Sequence, residues 1–313
     1  MPADSTRIVF MGSPDFAVPA LKRLAEAYRL VGVVTQPDRP GGRGRNLLPP
    51  AVKITALELG LPILQPEKLH KPQAVEQLKL WFPDLIVVAA FGQILRQDVL
   101  DLPRFGCLNI HASLLPRWRG AAPIQACLLA GDAETGVTLM KLDAGMDTGP
   151  LLGRRSIPIQ PQDTAGSLSE QLSLLGADFL METLPSFMDG IVHPQTQDNS
   201  QATYAPMLHK TDGLLDFSFP ADLLARRVRA FNPWPGAFTT HQGAILKVHT
   251  AHAEVGESKP GRHHILAGRP AIATSQGWLV LDEVQPAGKR TMSGQAFLAG
   301  ARDWLAAPIT TGE

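Results

Sequence analysis

The stretch Asp-Leu-Ile-Val-Val-Ala-Ala at residues 84–90 is the clearest indication of fold class in this chain. Its apolar residues are continuous rather than alternating, which is typical of a strand buried on both faces of a parallel sheet. Working back toward the N-terminus, residues 30–35 and 7–11 are further apolar runs, and helical spacing of apolar residues lies between them. This alternation predicts an open, doubly wound, Rossmann-like α/β sheet.

The pattern changes after residue 207. Short apolar runs at residues 244–249, 264–266, 271–274 and 278–284 are separated by Gly and Pro. Such spacing predicts a small, OB-like β-barrel. The polar residues before the change predict a linker. We therefore expect a first domain over residues 1–191, a linker over 192–207 and a second domain over 208–313.

Composition excludes several classes of protein. The 313 residues include 29 Lys and Arg against 29 Asp and Glu, so any contact with nucleic acid must come from a local basic patch. The densest apolar run, residues 85–91, is far shorter than the roughly 18 residues of a membrane span. Residues 1–7 lack the apolar core of a secretory signal, which predicts a cytoplasmic protein. Two cysteines are too few for a disulfide framework or a zinc site, and we expect no metal.

Two polar residues lie near the end of a further predicted strand, in the sequence Gly-Cys-Leu-Asn-Ile-His at residues 106–111. Side chains alternate along a strand, so Asn109 and His111 share one face. Ligands bind beyond the carboxyl ends of such strands. Asn109 could donate to a developing oxyanion and His111 could move a proton, although a turn residue and a structural histidine explain the pattern equally well.

A second candidate segment is Leu-Asp-Ala-Gly-Met-Asp-Thr-Gly at residues 142–149. Asp147 could orient His111 or take a proton from an amine, whereas an ordinary Asx turn is the alternative. Asp143 is expected to serve the turn. Cys107 is a rival nucleophile, but no basic neighbour in the sequence lowers its pKa, so we expect it to pack in the core.

These segments resemble those of the folate-dependent formyltransferases. The similar stretches cover nearly the whole chain and include residues 12–16, 109–124 and 143–149. Residues 36–45, 229–236 and 285–289 narrow the resemblance to the branch that acts on initiator methionyl-tRNA. The resemblance implies a first domain that binds 10-formyltetrahydrofolate as cosubstrate and a barrel that helps to hold tRNA.

The resemblance also implies roles for individual residues. It implies that Asn109, His111 and Asp147 are catalytic, and we expect Asn109 and His111 to stabilise the oxyanion while Asp147 tunes His111 and assists proton removal. The folate-binding residues are Ser113, Leu114, Leu115 and Pro116, with Phe91 near the pterin ring. The tRNA-binding residues are Arg39, Arg43 and Arg45, which lie in a Gly- and Pro-rich segment, residues 36–50, predicted to be a loop.

Three other functions compete with this interpretation. A formyltransferase that acts on a sugar nucleotide or on glycinamide ribonucleotide is the nearest. A nicotinamide oxidoreductase would require G-x-G-x-x-G after the first strand, and residues 12–17 lack it. A tRNA-binding module without activity would not need the three candidate catalytic residues. We expect a monomeric enzyme that formylates the amino group of methionine on initiator tRNA, with no membrane partner.

Overall fold

The computed structural model describes residues 6–41, 46–257 and 259–306. The chain forms two compact units. The first unit contains the chain up to Pro123 together with Glu134–Pro158 and Ser169–Pro206. The second unit contains Ile124–Ala133, Ile159–Leu168 and the chain from Met207 onward. Residues 192–206 of the predicted linker therefore group with the first unit.

The strands, in chain order, are β1 (Arg7–Gly12), β2 (Arg29–Val34), β3 (Arg39–Gly41), β4 (Asn46–Leu48), β5 (Ile63–Leu64), β6 (Leu85–Ala89), β7 (Cys107–His111), β8 (Arg119–Gly120), β9 (Glu134–Lys141), β10 (Leu151–Pro158), β11 (Tyr204–Ala205), β12 (Ala237–His241), β13 (Ala244–Glu254), β14 (His263–Leu266), β15 (Arg269–Ala273), β16 (Trp278–Pro286) and β17 (Met292–Ser293). The α-helices are α1 (Val18–Ala27), α2 (Ala51–Glu58), α3 (Pro72–Lys79), α4 (Gln97–Leu100), α5 (Pro123–Ala130), α6 (Ala165–Met188), α7 (Ala221–Ala230) and α8 (Gly294–Gly300).

The first unit contains a seven-stranded sheet in the order β10-β9-β7-β6-β1-β2-β5. Strands β7, β6, β1, β2 and β5 run parallel to one another, whereas β9 runs antiparallel to β7 and β10 runs antiparallel to β9 at one edge. Every residue of β6 is buried, as its continuous apolar sequence requires. The predicted Rossmann-like α/β fold is confirmed.

The second unit contains an antiparallel sheet in the order β12-β13-β16-β15-β14, with β17 paired to β16. Its core combines sheet residues such as Leu246 and Leu281 with Leu224 and Val228 of α7 and with Trp304. The four strands expected in this part of the chain are present. Strands β12 and β17 and helix α8 were not predicted, because their segments are short or have no regular apolar spacing.

Two local predictions were wrong. The sequence Ser-Pro-Asp at residues 13–15 predicts a helix start capped by Ser13, but α1 begins at Val18, after a 3-10 turn, and the Ser13 hydroxyl instead accepts from the backbone N–H of Gln36 at 3.1 Å. Residues 36–50 were expected to be a loop, yet β3 and β4 pair antiparallel within them. Within the described ranges, no helix is long and apolar enough to cross a membrane.

Candidate active site

Strand β7 carries Asn109 and His111 on one face near its end. Its neighbours are β6, in parallel, and β9, in antiparallel pairing, so the strand lies inside the sheet. Ile110 is buried, and its side chain lies close to Gly176 of α6 on the other face. Asn109 is half-buried and His111 is buried. The predicted alternation therefore aims an amide and an imidazole to the same side of the sheet.

Both ring nitrogens of His111 lie next to protein oxygens. Nε2 is 3.0 Å from the carbonyl oxygen of Trp118, and Nδ1 is 3.6 Å from Oδ2 of Asp147. A carbonyl oxygen only accepts hydrogen bonds, so Nε2 must carry a proton. In the neutral ring, the Nδ1 lone pair therefore faces the Asp147 carboxylate.

Asp147 is held in an unusual conformation. Its φ is +53°, in the left-handed region, which aspartate tolerates better than most residues. Its carboxylate Oδ2 accepts from the backbone N–H of Gly120 at 2.8 Å. Asp143 closes the turn, since its Oδ1 accepts from Gly145 N and Thr148 Oγ1. The turn thus directs Asp147 toward His111, whereas Asp143 has the structural role expected for it.

The predicted folate-binding residues follow β7 directly. Ser113 and Leu115 are fully buried, and the Ser113 hydroxyl donates to the Arg117 carbonyl at 2.7 Å. Leu114 and Pro116 are half-buried. The Thr138 hydroxyl donates to the carbonyl of Ser113 at 2.6 Å, which ties this segment to β9. The contribution of these residues to folate binding stays a prediction.

Phe91 lies just beyond β6, and its side chain belongs to the hydrophobic core of the first unit. Its carbonyl accepts from the Gln36 side chain at 3.0 Å and from the Ser13 hydroxyl at 3.4 Å. Gly92, the next residue, has a φ of +79° and so turns the chain sharply. The structure thus places Phe91 at the carboxyl edge of the sheet, and its pterin contact stays a prediction.

Cys107 is placed as a core residue. It is buried, and burial raises the pKa of its thiol to about 12. The thiol is therefore protonated at neutral pH, and a protonated thiol is a poor nucleophile. This supports the packing role over covalent catalysis.

The three predicted tRNA-binding arginines are only partly described. Arg39 lies in β3, is exposed, and forms an ion pair with Glu67 at 3.2 Å. Arg43 and Arg45 lie outside the described residues. Their contact with tRNA stays a prediction. In the described parts of the chain, no group of three or more His, Cys, Asp or Glu side chains is arranged to hold a metal ion.

Sequence reasoning missed the residues that support His111 and Asp147. Trp118 acts through a backbone carbonyl, which no side-chain pattern reveals. Gln197 donates to the backbone carbonyls of Asp147 and Gly149, and it comes from the polar segment interpreted as a linker. Arg119 is only 2% exposed and contacts Gln197. The only signal for Arg119 in the sequence was its place within residues 109–124, which carry the family resemblance but give no indication that Arg119 is buried.

An asparagine and a histidine on one face of β7, with a carboxylate beside the histidine, are side chains suited to the class of acyl-transfer enzymes, since an amide can donate to an oxyanion and an imidazole can move a proton. The family comparison identifies the group within that class. Residues 6–184 match the formyl transferase model and residues 207–302 match the model of the formyl transferase C-terminal domain. The chain belongs to the formyltransferase family.

Similar proteins agree with this assignment. The chain is 50% identical over 299 residues to the methionyl-tRNA formyltransferase of Geobacter metallireducens, covering 94% of this chain and 96% of that protein. It is 49% identical over 297 residues to the methionyl-tRNA formyltransferase of Myxococcus xanthus, with 94% and 95% covered. A solved N-formyltransferase from Helicobacter canadensis, in complex with folinic acid and dTDP-3-aminofucose, has the same fold, with a TM-score of 0.63, 15% identity and 90% and 99% coverage.

Proposed function

We propose that this chain transfers the formyl group of 10-formyltetrahydrofolate to the α-amino group of methionine on initiator methionyl-tRNA. The observation that carries the proposal is the pairing of His111 Nδ1 with Asp147 Oδ2, at 3.6 Å, on the face of β7 that also bears Asn109. The names of the Geobacter and Myxococcus relatives support methionyl-tRNA as the acceptor.

The chemistry requires a donor for negative charge and an acceptor for a proton. The uncharged amine attacks the formyl carbon, a new C–N bond forms, and the carbonyl oxygen becomes an oxyanion. Asn109 donates to that oxyanion. The ammonium proton passes to His111 Nδ1 and Asp147 Oδ2, which lie next to each other. The bond between the formyl carbon and the folate nitrogen then breaks. The folate nitrogen takes up a proton as it leaves.

This assignment gives His111 a different role from the one expected from the sequence. From the sequence we expected His111 to stabilise the oxyanion together with Asn109. In the structure, its Nε2–H donates to the Trp118 carbonyl, so the nitrogen that remains for proton transfer is Nδ1, beside Asp147. We therefore give Asn109 the oxyanion, and His111 the proton.

The folate donor is assigned to the first unit. Residues Ser113, Leu114, Leu115 and Pro116 follow β7, and Phe91 follows β6, so both segments lie beyond the carboxyl ends of neighbouring parallel strands. Ligands of open α/β sheets bind at this edge. The folinic acid in the Helicobacter enzyme supports a folate as the donor.

We assign tRNA binding to two parts of the chain, the segment around β3 and β4 and the domain over residues 208–313. Residues 192–207 join this domain to the catalytic domain over residues 1–191. Arg39, Arg43 and Arg45 supply the charge in the segment around β3 and β4. Each phosphate contact makes binding depend on salt. Arg39→Ala is expected to lower the slope of log affinity against log salt by about 1. Arg23→Ala is the matched control, because Arg23 is similarly exposed and pairs with Asp178 at 3.1 Å. Equal slopes for the two variants would remove Arg39 from the tRNA site.

The alternative acceptors are an amino sugar nucleotide and glycinamide ribonucleotide. The test offers purified chain and 10-formyltetrahydrofolate to methionyl initiator tRNA, methionyl elongator tRNA and both alternatives in parallel. We expect methionyl initiator tRNA to be formylated faster than the other three acceptors. We expect this formylation to be lost in Asp147→Asn. Faster formylation of either small acceptor would assign the enzyme to another branch of the family.

A further inference from the structure

Gln197 connects the loop that carries Asp147 to the rest of the first unit. Its side-chain nitrogen donates to the backbone carbonyl of Asp147 at 2.8 Å and to that of Gly149 at 2.7 Å. Gln197 is 6% exposed, so these bonds form away from solvent. One amide group thus fixes the peptide that follows Asp147 and the peptide that follows Gly149.

Arg119 determines which way the Gln197 amide points. Its Nε and Nη2 both donate to Oε1 of Gln197, at 3.2 and 2.8 Å, and Nη2 also donates to Oδ1 of Asn199 at 2.8 Å. Arginine only donates and backbone carbonyls only accept. The Gln197 oxygen must therefore face Arg119 and its nitrogen must face the loop, because the reverse orientation would leave the bonds of Gln197 to Arg119 and to the two carbonyls unmade.

Strand β8, which contains Arg119, also holds the side chain of Asp147. Gly120 follows Arg119 in β8, and its N–H donates to the Asp147 carboxylate. Arg119 acts on the Asp147 backbone through Gln197, while Gly120 acts on its side chain directly. These two attachments keep Asp147 in the left-handed conformation that places its carboxylate beside His111 Nδ1.

We infer that Gln197 is a positioning residue for formyl transfer, which holds Asp147 in register with His111 and is itself oriented by the buried Arg119. The inference rests on the proposed proton-accepting role of Asp147. A displacement of about 1 Å at a catalytic group can cost roughly 10²-fold in rate. Loss of the two carbonyl bonds is therefore expected to lower kcat rather than substrate affinity.

Gln197→Glu is the sharpest test. Glutamate has the shape of glutamine and its carboxylate pairs with Arg119, but it cannot donate to the two carbonyls, and its second oxygen faces them as a further acceptor. We expect kcat for methionyl-tRNA formylation to fall about 10²-fold, with the KM values for both substrates close to those of the wild type and a melting temperature that is lowered but still above the assay temperature. Asn199→Asp is the matched control. It places the same charge beside Arg119, and within the described part of the chain the Asn199 side chain forms no hydrogen bond to the loop, so its kcat should stay near the wild-type value.

A double-mutant cycle separates positioning from a general structural effect. If Gln197 acts through Asp147, then Gln197→Glu should lower kcat by less than about threefold in an Asp147→Asn background, because residues that act as a unit are not additive. A wild-type kcat in folded Gln197→Glu, or a full additional loss in the double variant, would overturn the inference. If Gln197→Glu does not fold, Gln197→Asn gives the same comparison, since it is one methylene too short to span from Arg119 to both carbonyls. Full activity of Asp147→Asn alone would instead overturn the proposed role of Asp147, before Gln197 is changed.

Discussion

His111 in the first unit and His263 in the second are equally buried, each at 5% exposure, yet their surroundings differ completely. His111 lies between the Trp118 carbonyl and the Asp147 carboxylate. His263 donates from Nδ1 to the Trp304 carbonyl at 2.7 Å, and its ring stacks on the Trp304 indole with centroids 3.8 Å apart. Burial alone therefore does not identify a catalytic histidine.

The second nitrogen makes the difference. His111 Nδ1 faces a carboxylate at the end of a strand, and we propose that this nitrogen receives and passes on a proton. His263 Nε2 is buried and, within the described residues, has no hydrogen-bond partner. Burial lowers the pKa of His263, although its bond to the Trp304 carbonyl opposes that shift. A ring stacked on an indole and bonded to its carbonyl serves packing in the second unit.

The largest expected effect separates the two histidines by turnover. His111→Ala removes a general acid–base group and should lower kcat for formyl transfer by about 10²–10⁴-fold. His263→Ala should leave kcat within about twofold at saturating tRNA, because the His263 ring stacks on Trp304 inside the core of the second unit. Steady-state kinetics of both variants, after circular dichroism has shown that each is folded, make the comparison. Similar kcat values for the two variants would erase the distinction drawn here.

The next effect reverses the ranking, in stability. His263→Ala loses a stacked pair, worth about 0.5–1.5 kcal/mol, and a buried hydrogen bond of about 1 kcal/mol. We therefore expect the free energy of unfolding to fall by about 2 kcal/mol, measured in urea. His264→Ala is the control on the same strand, since His264 is exposed and should cost less. An equal loss in the two variants would show that the stack on Trp304 adds no stability.

The smallest effect is a dependence of stability on pH. His263 has a lowered pKa when folded and an ordinary value near 6.5 when unfolded. Below about pH 6.5 the unfolded chain therefore binds more protons than the folded chain, and the free energy of unfolding decreases as pH falls. The slope from this one group is at most about 1.4 kcal/mol per pH unit. The charges of His241 and Asp303 also act on His263, so the informative quantity is the difference between wild type and His263→Leu. Identical slopes from pH 8 to pH 5 would contradict the assigned shift.

The sequence predicts the parts of the fold and site that depend on local periodicity. Continuous apolar residues identify β6, and alternation along β7 places Asn109 and His111 on one face. Asp147 was found through its Gly-rich turn and through the resemblance. None of these patterns needs knowledge of distant contacts.

The remaining features depend on contacts between distant segments. Gln197 is 50 residues from Asp147 along the chain, and its polar surroundings are also typical of a linker. The burial of Arg119 depends on Gln197 and Asn199 reaching it in the folded state. The Trp118 carbonyl contributes to the site without any side-chain signal. Such supports become visible only when the tertiary structure is known.

The central claim is that a neighbouring carboxylate makes His111 a proton acceptor, and Asp147→Asn tests it most directly. Asparagine keeps the oxygen that accepts from Gly120 but cannot take up a proton beside Nδ1. The measurement is kcat for formylation of methionyl initiator tRNA, with the melting temperature of the same preparation. The account predicts a loss of at least about 10²-fold in kcat, with an unchanged melting temperature. A folded Asp147→Asn variant with wild-type kcat would contradict it.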